Sequence, residues 1–91
     1  MTKKTFEIKN PTGLHIRPAS LLCEEAMNHK SRITFIYGSN NSEANCKSML
    51  SILGACVRSG ESIELCCDGE DEEDAMAKIG ELIETGFGDK G

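Results

Sequence analysis

The chain has no tryptophan, one tyrosine, three phenylalanines and only two prolines among its 91 residues. It also has no apolar run approaching the roughly 18 residues that cross a membrane. Its lysine-bearing start leads into Phe6-Glu7-Ile8-Lys9 rather than an apolar block, so no secretory leader is read and the expected compartment is the cytoplasm. Phosphate-cradling P-loop and dinucleotide glycine patterns are missing, which leaves ATP and NAD binding without support. The five cysteines, Cys23, Cys46, Cys56, Cys66 and Cys67, are odd in number and lack any Cys-x-x-Cys spacing. Neither a closed disulfide framework nor a zinc ribbon follows from that arrangement, and they read as reduced, packed thiols. Cys66 and Cys67 are adjacent on an expected strand and therefore point to opposite faces, which disfavours a shared metal site.

Positive charge is scarce overall. Ten Lys/Arg stand against fifteen Asp/Glu, a net charge of −5 that argues against a nucleic-acid backbone binder. The distribution is uneven: residues 1–36 hold six basic and three acidic side chains, and residues 37–91 hold four and twelve. An anion would be met in the N-terminal part.

What is present describes one small soluble domain over residues 1–91. Surface scaling gives roughly 5,200 Å² folded against about 14,400 Å² unfolded, so only ~64% of the surface is removed from water. Thr5-Phe6-Glu7-Ile8-Lys9 alternates apolar with polar and ends in Asn10-Pro11-Thr12-Gly13, a strand and a turn. Ala19, Leu22, Cys23, Ala26 and Met27 form one helical stripe, with Pro18 in the first turn, where its missing N–H costs nothing. Residues 32–37 are rich in β-branched and aromatic types and predict a strand. The turn cluster Gly38-Ser39-Asn40-Asn41 makes a hairpin into Ser42–Cys46.

Ser48 stands at an N-cap position before the short apolar segment 49–53. Ser62-Ile63-Glu64-Leu65-Cys66 alternates again. The acidic run Asp68–Asp74 favours the positive end of a last helix whose face carries Ala75, Met76, Ile79, Leu82 and Ile83. That run is no calcium loop, because Glu73 occupies the sixth position, where the loop needs glycine. The order β-α-β-β-α-β-α predicts an α+β fold, an open-faced β-sandwich with a four-stranded antiparallel sheet and three helices on one face. Residues 86–91, with three glycines, read as a flexible tail, and His29, in a polar loop, as exposed to solvent.

The chemistry concentrates at Gly13-Leu14-His15-Ile16-Arg17-Pro18-Ala19-Ser20. Neutral imidazole is a good nucleophile near pH 7. The unpaired N–H groups of Ile16 and Arg17 at a helix start suit phosphate oxygens, and the Arg17 guanidinium adds a planar donor fork. Together these groups fit a site that takes up a phosphoryl group as phosphohistidine. No residue set suggests a metal or another cofactor.

The string Asn10-Pro11-Thr12-Gly13-Leu14-His15-Ile16-Arg17-Pro18-Ala19-Ser20 resembles the active-site signature of the HPr family, the phosphocarriers of the bacterial phosphoenolpyruvate-dependent sugar phosphotransferase system. Cys46-Lys47-Ser48 is similar to the family's Lys-Ser segment, and Asp68-Gly69-Glu70-Asp71-Glu72 to the start of its last helix. The resemblance implies a phosphoryl carrier rather than an enzyme, with His15 as the acceptor through Nδ1 and Arg17 as its partner. It further implies Ser48 as a site for HPr kinase/phosphorylase, and Met49, Leu50 and Leu53 as the apolar docking patch, with Met49 and Leu50 the exposed pair. The implied partners of this monomer are enzyme I and the EIIA domains of sugar permeases, without nucleic acid or direct membrane binding.

Other readings are a nitrogen-type paralogue in a regulatory phosphorelay, a regulator acting only through phosphoserine, and a small RNA-binding sandwich. His15 counts against the second of these, and acidity with few aromatics against the third. Two departures stand out: Gly54 lies two residues before the glycine that ends this helix in well-known members, and the tail beyond Glu84 is longer and glycine-rich.

Overall fold

The structure is a computed structural model that describes residues 1–88. The elements are β1 (Thr2–Glu7), α1 (Ile16–Met27), β2 (Arg32–Tyr37), β3 (Ser42–Asn45), α2 (Met49–Gly54), β4 (Ser62–Asp68) and α3 (Glu72–Glu84), followed by a 3-10 turn at Gly86–Gly88. The strands form one antiparallel four-stranded sheet, as the element order predicts, and the structure fixes the strand order as β1-β4-β2-β3. β1 begins earlier than its alternation suggests, because Thr2, Lys3 and Lys4 pair with Cys67, Cys66 and Leu65. Lys4 keeps its inward-facing phase at the strand's open end by laying its ammonium 5.1 Å from the centre of the Phe6 ring.

The core lies between sheet and helices. Ile8, Leu22, Ile33, Phe35, Ile52, Ile63, Leu65, Ile79 and Ile83 are fully buried there. α3 supplies Ala75, Met76, Ile79, Gly80 and Ile83 from one face. Gly80 lets α3 approach β1 closely: a methyl group there would stand 2.9 Å from the Phe6 ring. Cys67 joins this core, while Cys66 faces the opposite side of the sheet beside Lys3, Arg32 and Thr34. All five thiols are free. No helix among the described residues is long and apolar enough to cross a membrane.

Four expectations change. His29 is buried rather than exposed, at 6% accessibility. Its Nε2 lies 2.8 Å from Glu25 Oε2, and its Nδ1 lies 3.6 Å from carboxylate oxygens of both Asp71 and Asp74. A polar side chain enters the interior when partners of this kind meet it. Met27, the last residue of α1 and the end of its stripe, is instead 64% exposed. The tail is ordered further than its glycines suggest: Phe87 is buried, and Gly86, Phe87 and Gly88 all take positive φ, a tight left-handed turn that folds the ring inward. Residues 89–91 of that expected tail lie outside the described residues. Finally, Met49 is half-buried rather than exposed.

Candidate functional site

His15 is the N-cap of α1, with extended backbone at φ −80° and ψ −172°. Its carbonyl accepts the Ala19 amide at 2.8 Å, and its side chain makes no capping bond. The imidazole is exposed and has no hydrogen-bond partner among the described residues, at the end of the helix where the macrodipole is positive. The Ile16 and Arg17 amides occupy the first turn, where no carbonyl lies one turn behind them, and Pro18 follows without an amide to leave unpaired. Ile16 and Arg17 are exposed, whereas Pro18 and Ala19 are buried and anchor the turn. The structure thus places the acceptor and two first-turn amides at one helix start, with Arg17 exposed in the same turn.

The loop before His15 is held from two sides. Asn10 is fully buried, and its Nδ2 donates to the Gly13 carbonyl at 2.6 Å and to Thr12 Oγ1 at 3.2 Å. The Leu14 amide donates to the Val57 carbonyl at 2.9 Å, joining this loop to the one between α2 and β4. Gly13 has φ +65°, and a methyl group on it would stand 2.6 Å from the Val57 oxygen and 2.9 Å from the Arg58 Cα. Only glycine allows that approach.

A depression of about 420 Å³ opens beside the imidazole, walled by Thr12, Leu14, His15, Leu53, Cys56, Val57 and Arg58. Arg17 stands outside that wall, and Arg58, which sequence reasoning did not single out, is part of it. A larger hollow of about 560 Å³ shares Cys56 and Val57 but contains Glu61 and no cationic side chain, so it suits an anion less well.

Ser48 is the N-cap of α2, and its side chain accepts the Ser51 amide at 3.2 Å. The helix ends at Gly54 with Ala55 as C-cap, and the left-handed residue that follows is Cys56, at φ +52°. Cys56 thus takes up, two residues after Gly54, the conformation that usually calls for glycine. On the outer side of α2, Leu50 is 85% exposed, while Met49 and Leu53 are half-buried against the core. Ile16, at 61% exposure, adds an apolar surface next to His15 that the sequence reading left out of the docking patch.

A family model described as the PTS HPr component phosphorylation site matches residues 2–85. The chain is 38% identical to phosphocarrier protein HPr of Mycoplasma genitalium over 84 residues, covering 92% of this chain and 94% of that one. It is likewise 38% identical over 85 residues to phosphocarrier protein HPr of Borreliella burgdorferi, covering 93% and 96% of the two chains. Among solved structures, HPr-C-His from Thermoanaerobacter tengcongensis superposes with a TM-score of 0.92 at 39% identity, over 99% of both chains. An exposed histidine at a helix start, a matching fold and full-length similarity converge: the chain belongs to the HPr family of phosphocarrier proteins of the phosphotransferase system.

Proposed function

We propose that His15 receives a phosphoryl group from phosphorylated enzyme I and passes it to the EIIA domains of sugar permeases. The observation that carries this reading is the exposed, uncapped imidazole of His15 at the start of α1. In the transfer, the lone pair of Nδ1 attacks phosphorus and the P–N bond of the donor imidazole breaks. Its electron pair returns to the donor nitrogen, which takes up a proton, while His15 releases its Nε2 proton to water. The Ile16 and Arg17 amides and the Arg17 guanidinium hold the phosphoryl oxygens, with no cofactor in the step. Binding by amides and guanidinium, without a metal, keeps the group transferable.

Leu50, flanked by the half-buried Met49 and Leu53, serves as the apolar centre of the partner contact. Partner contacts of a carrier are transient and sit near the low end of about 1,200 Å². The carrier acts in the cytoplasm as a monomer; a crystal structure of an HPr dimer is known from Thermoanaerobacter tengcongensis, and the solution mass of this protein tests the point.

Ser48 supports a second, compatible role as the substrate of HPr kinase/phosphorylase. A phosphate there adds about −1.5 to −2 charges at the start of α2, beside the partner face, and repels acidic partners. Ser48→Asp should slow transfer from enzyme I, and an unchanged rate would reduce Ser48 to a structural cap.

The deciding experiment is the intact mass after incubation with phosphoenolpyruvate, Mg²⁺ and enzyme I. One acid-labile phosphate of about 80 Da, absent from His15→Ala, is the expected result. A His15→Ala protein that still gains it would sink the assignment. Restored sugar uptake in a carrier-deficient strain separates the sugar relay from a nitrogen-type regulatory one.

A further inference from the structure

We propose that Arg58 supplies a second guanidinium to the phosphoryl group on His15, across the depression from the helix start. The inference rests on the reading of His15 as the acceptor. It begins with backbone geometry. The contact between Gly13 and the Val57-Arg58 backbone holds the two loops at van der Waals distance, and the Leu14 to Val57 hydrogen bond fixes their register. Arg58 thus stands four loops further along the chain but on the wall of the same depression as His15.

The backbone of Arg58 is itself rigid. Its amide donates to Glu61 Oε1 at 2.6 Å, and its carbonyl accepts the Glu61 amide at 3.1 Å, so residues 58–61 form a closed turn. The Glu61 carboxylate is held by this backbone amide, and no ion pair with the Arg58 guanidinium occurs among the described residues. Arg58 is exposed and lines the same depression as His15.

A phosphoryl group leaving the imidazole toward that depression would meet the α1 amides and Arg17 on one side and Arg58 on the other. Two guanidiniums from separate loops favour the doubly charged phosphoryl and fix its orientation for in-line transfer.

The test uses the intact chain phosphorylated on histidine with potassium phosphoramidate, which needs no protein donor; a His15→Ala control locates the label. Phosphorus NMR then follows the titration of the phosphoryl group in wild type, Arg58→Gln and Arg58→Lys. Loss of the nearby cation should raise the phosphoryl pKa in Arg58→Gln, and Arg58→Lys should restore it largely. In parallel, transfer from enzyme I should slow on the order of tenfold in Arg58→Gln and recover partly in Arg58→Lys. Arg58 is exposed, so circular dichroism should show an unchanged fold. A phosphoryl titration in Arg58→Gln that superimposes on wild type overturns the inference. If wild type takes up nothing from enzyme I, the donor assignment fails, while the titration still decides the role of Arg58.

Discussion

Ser31 and Asp71 tie the loop after α1 to the start of α3: the Ser31 amide donates to Asp71 Oδ1 at 2.9 Å, and the Ser31 hydroxyl donates to the same oxygen. The Lys30 amide donates to the other carboxylate oxygen at 2.9 Å. Asp71 therefore does not cap its own helix but clamps a distant loop, and His29 sits beneath this clamp, between the same carboxylate and Glu25.

These bonds hold the Asp71 carboxyl well below the usual carboxylate range, the Ser31 hydroxyl contributing most and the Lys30 amide next. Glu72 is lowered as well, first by the Thr2 hydroxyl and then by the Gly69 amide. A carboxyl whose folded value is depressed stabilises the fold fully above its unfolded value, near pH 4, and loses that contribution as the pH falls below it. Chemical denaturation between about pH 5 and pH 2 should show stability declining over that window in wild type and declining less in Asp71→Asn. Equal slopes would contradict the clamp.

Cys56 holds a left-handed conformation at the end of α2. A side chain there costs on the order of 1 kcal/mol relative to glycine, so Cys56→Gly should raise stability by about that much. For a chain of this size the melting temperature should rise by about 4–8 °C. A lower melting temperature would mean that the Cys56 side chain contributes more than its backbone strain removes.

The thiols divide by environment. Burial pushes Cys67 up to about 11 and Cys46 further still, well beyond the usual thiol range. Their folded values exceed the unfolded 9.0, so the contribution of the neutral thiols is present below that pH and is lost as the pH rises through and above it. Iodoacetamide at pH 8 should label Cys56 in the native protein and reach Cys46 and Cys67 only after unfolding. Rapid native labelling of Cys46 would contradict its burial.

Gly13 is the residue on which the alignment of the two loops depends. Gly13→Ala forces a methyl group against the Val57 carbonyl at a positive φ and should cost about 2 kcal/mol or more. Phosphorylation of His15 should slow as well, because the loop before it shifts. Retained stability and an unchanged transfer rate would show that the loops adjust freely.

Much of this molecule is legible along the chain, because strands and helices write their buried faces at periods of about 2 and 3.6 residues. The alternation around Phe6 and Ile63, the stripe from Ala19 to Ala26 and the Ser48 cap all reappear in the structure, and so does the site segment around His15, whose helix start is local by nature. Burial of a lone polar side chain, by contrast, depends on which distant groups arrive to pair with it. Glu25, four residues before His29, was a visible hint, but Asp71 and Asp74 reach that ring only once α3 docks. Phe87 turns inward, and Met27 outward, for the same reason: the edge of the core is set by the packing of whole elements. The sharing of one depression by Arg58 and His15 belongs to this second class, since no local period relates residues 15 and 58, and the close approach at Gly13 together with the Leu14 to Val57 hydrogen bond joins their loops.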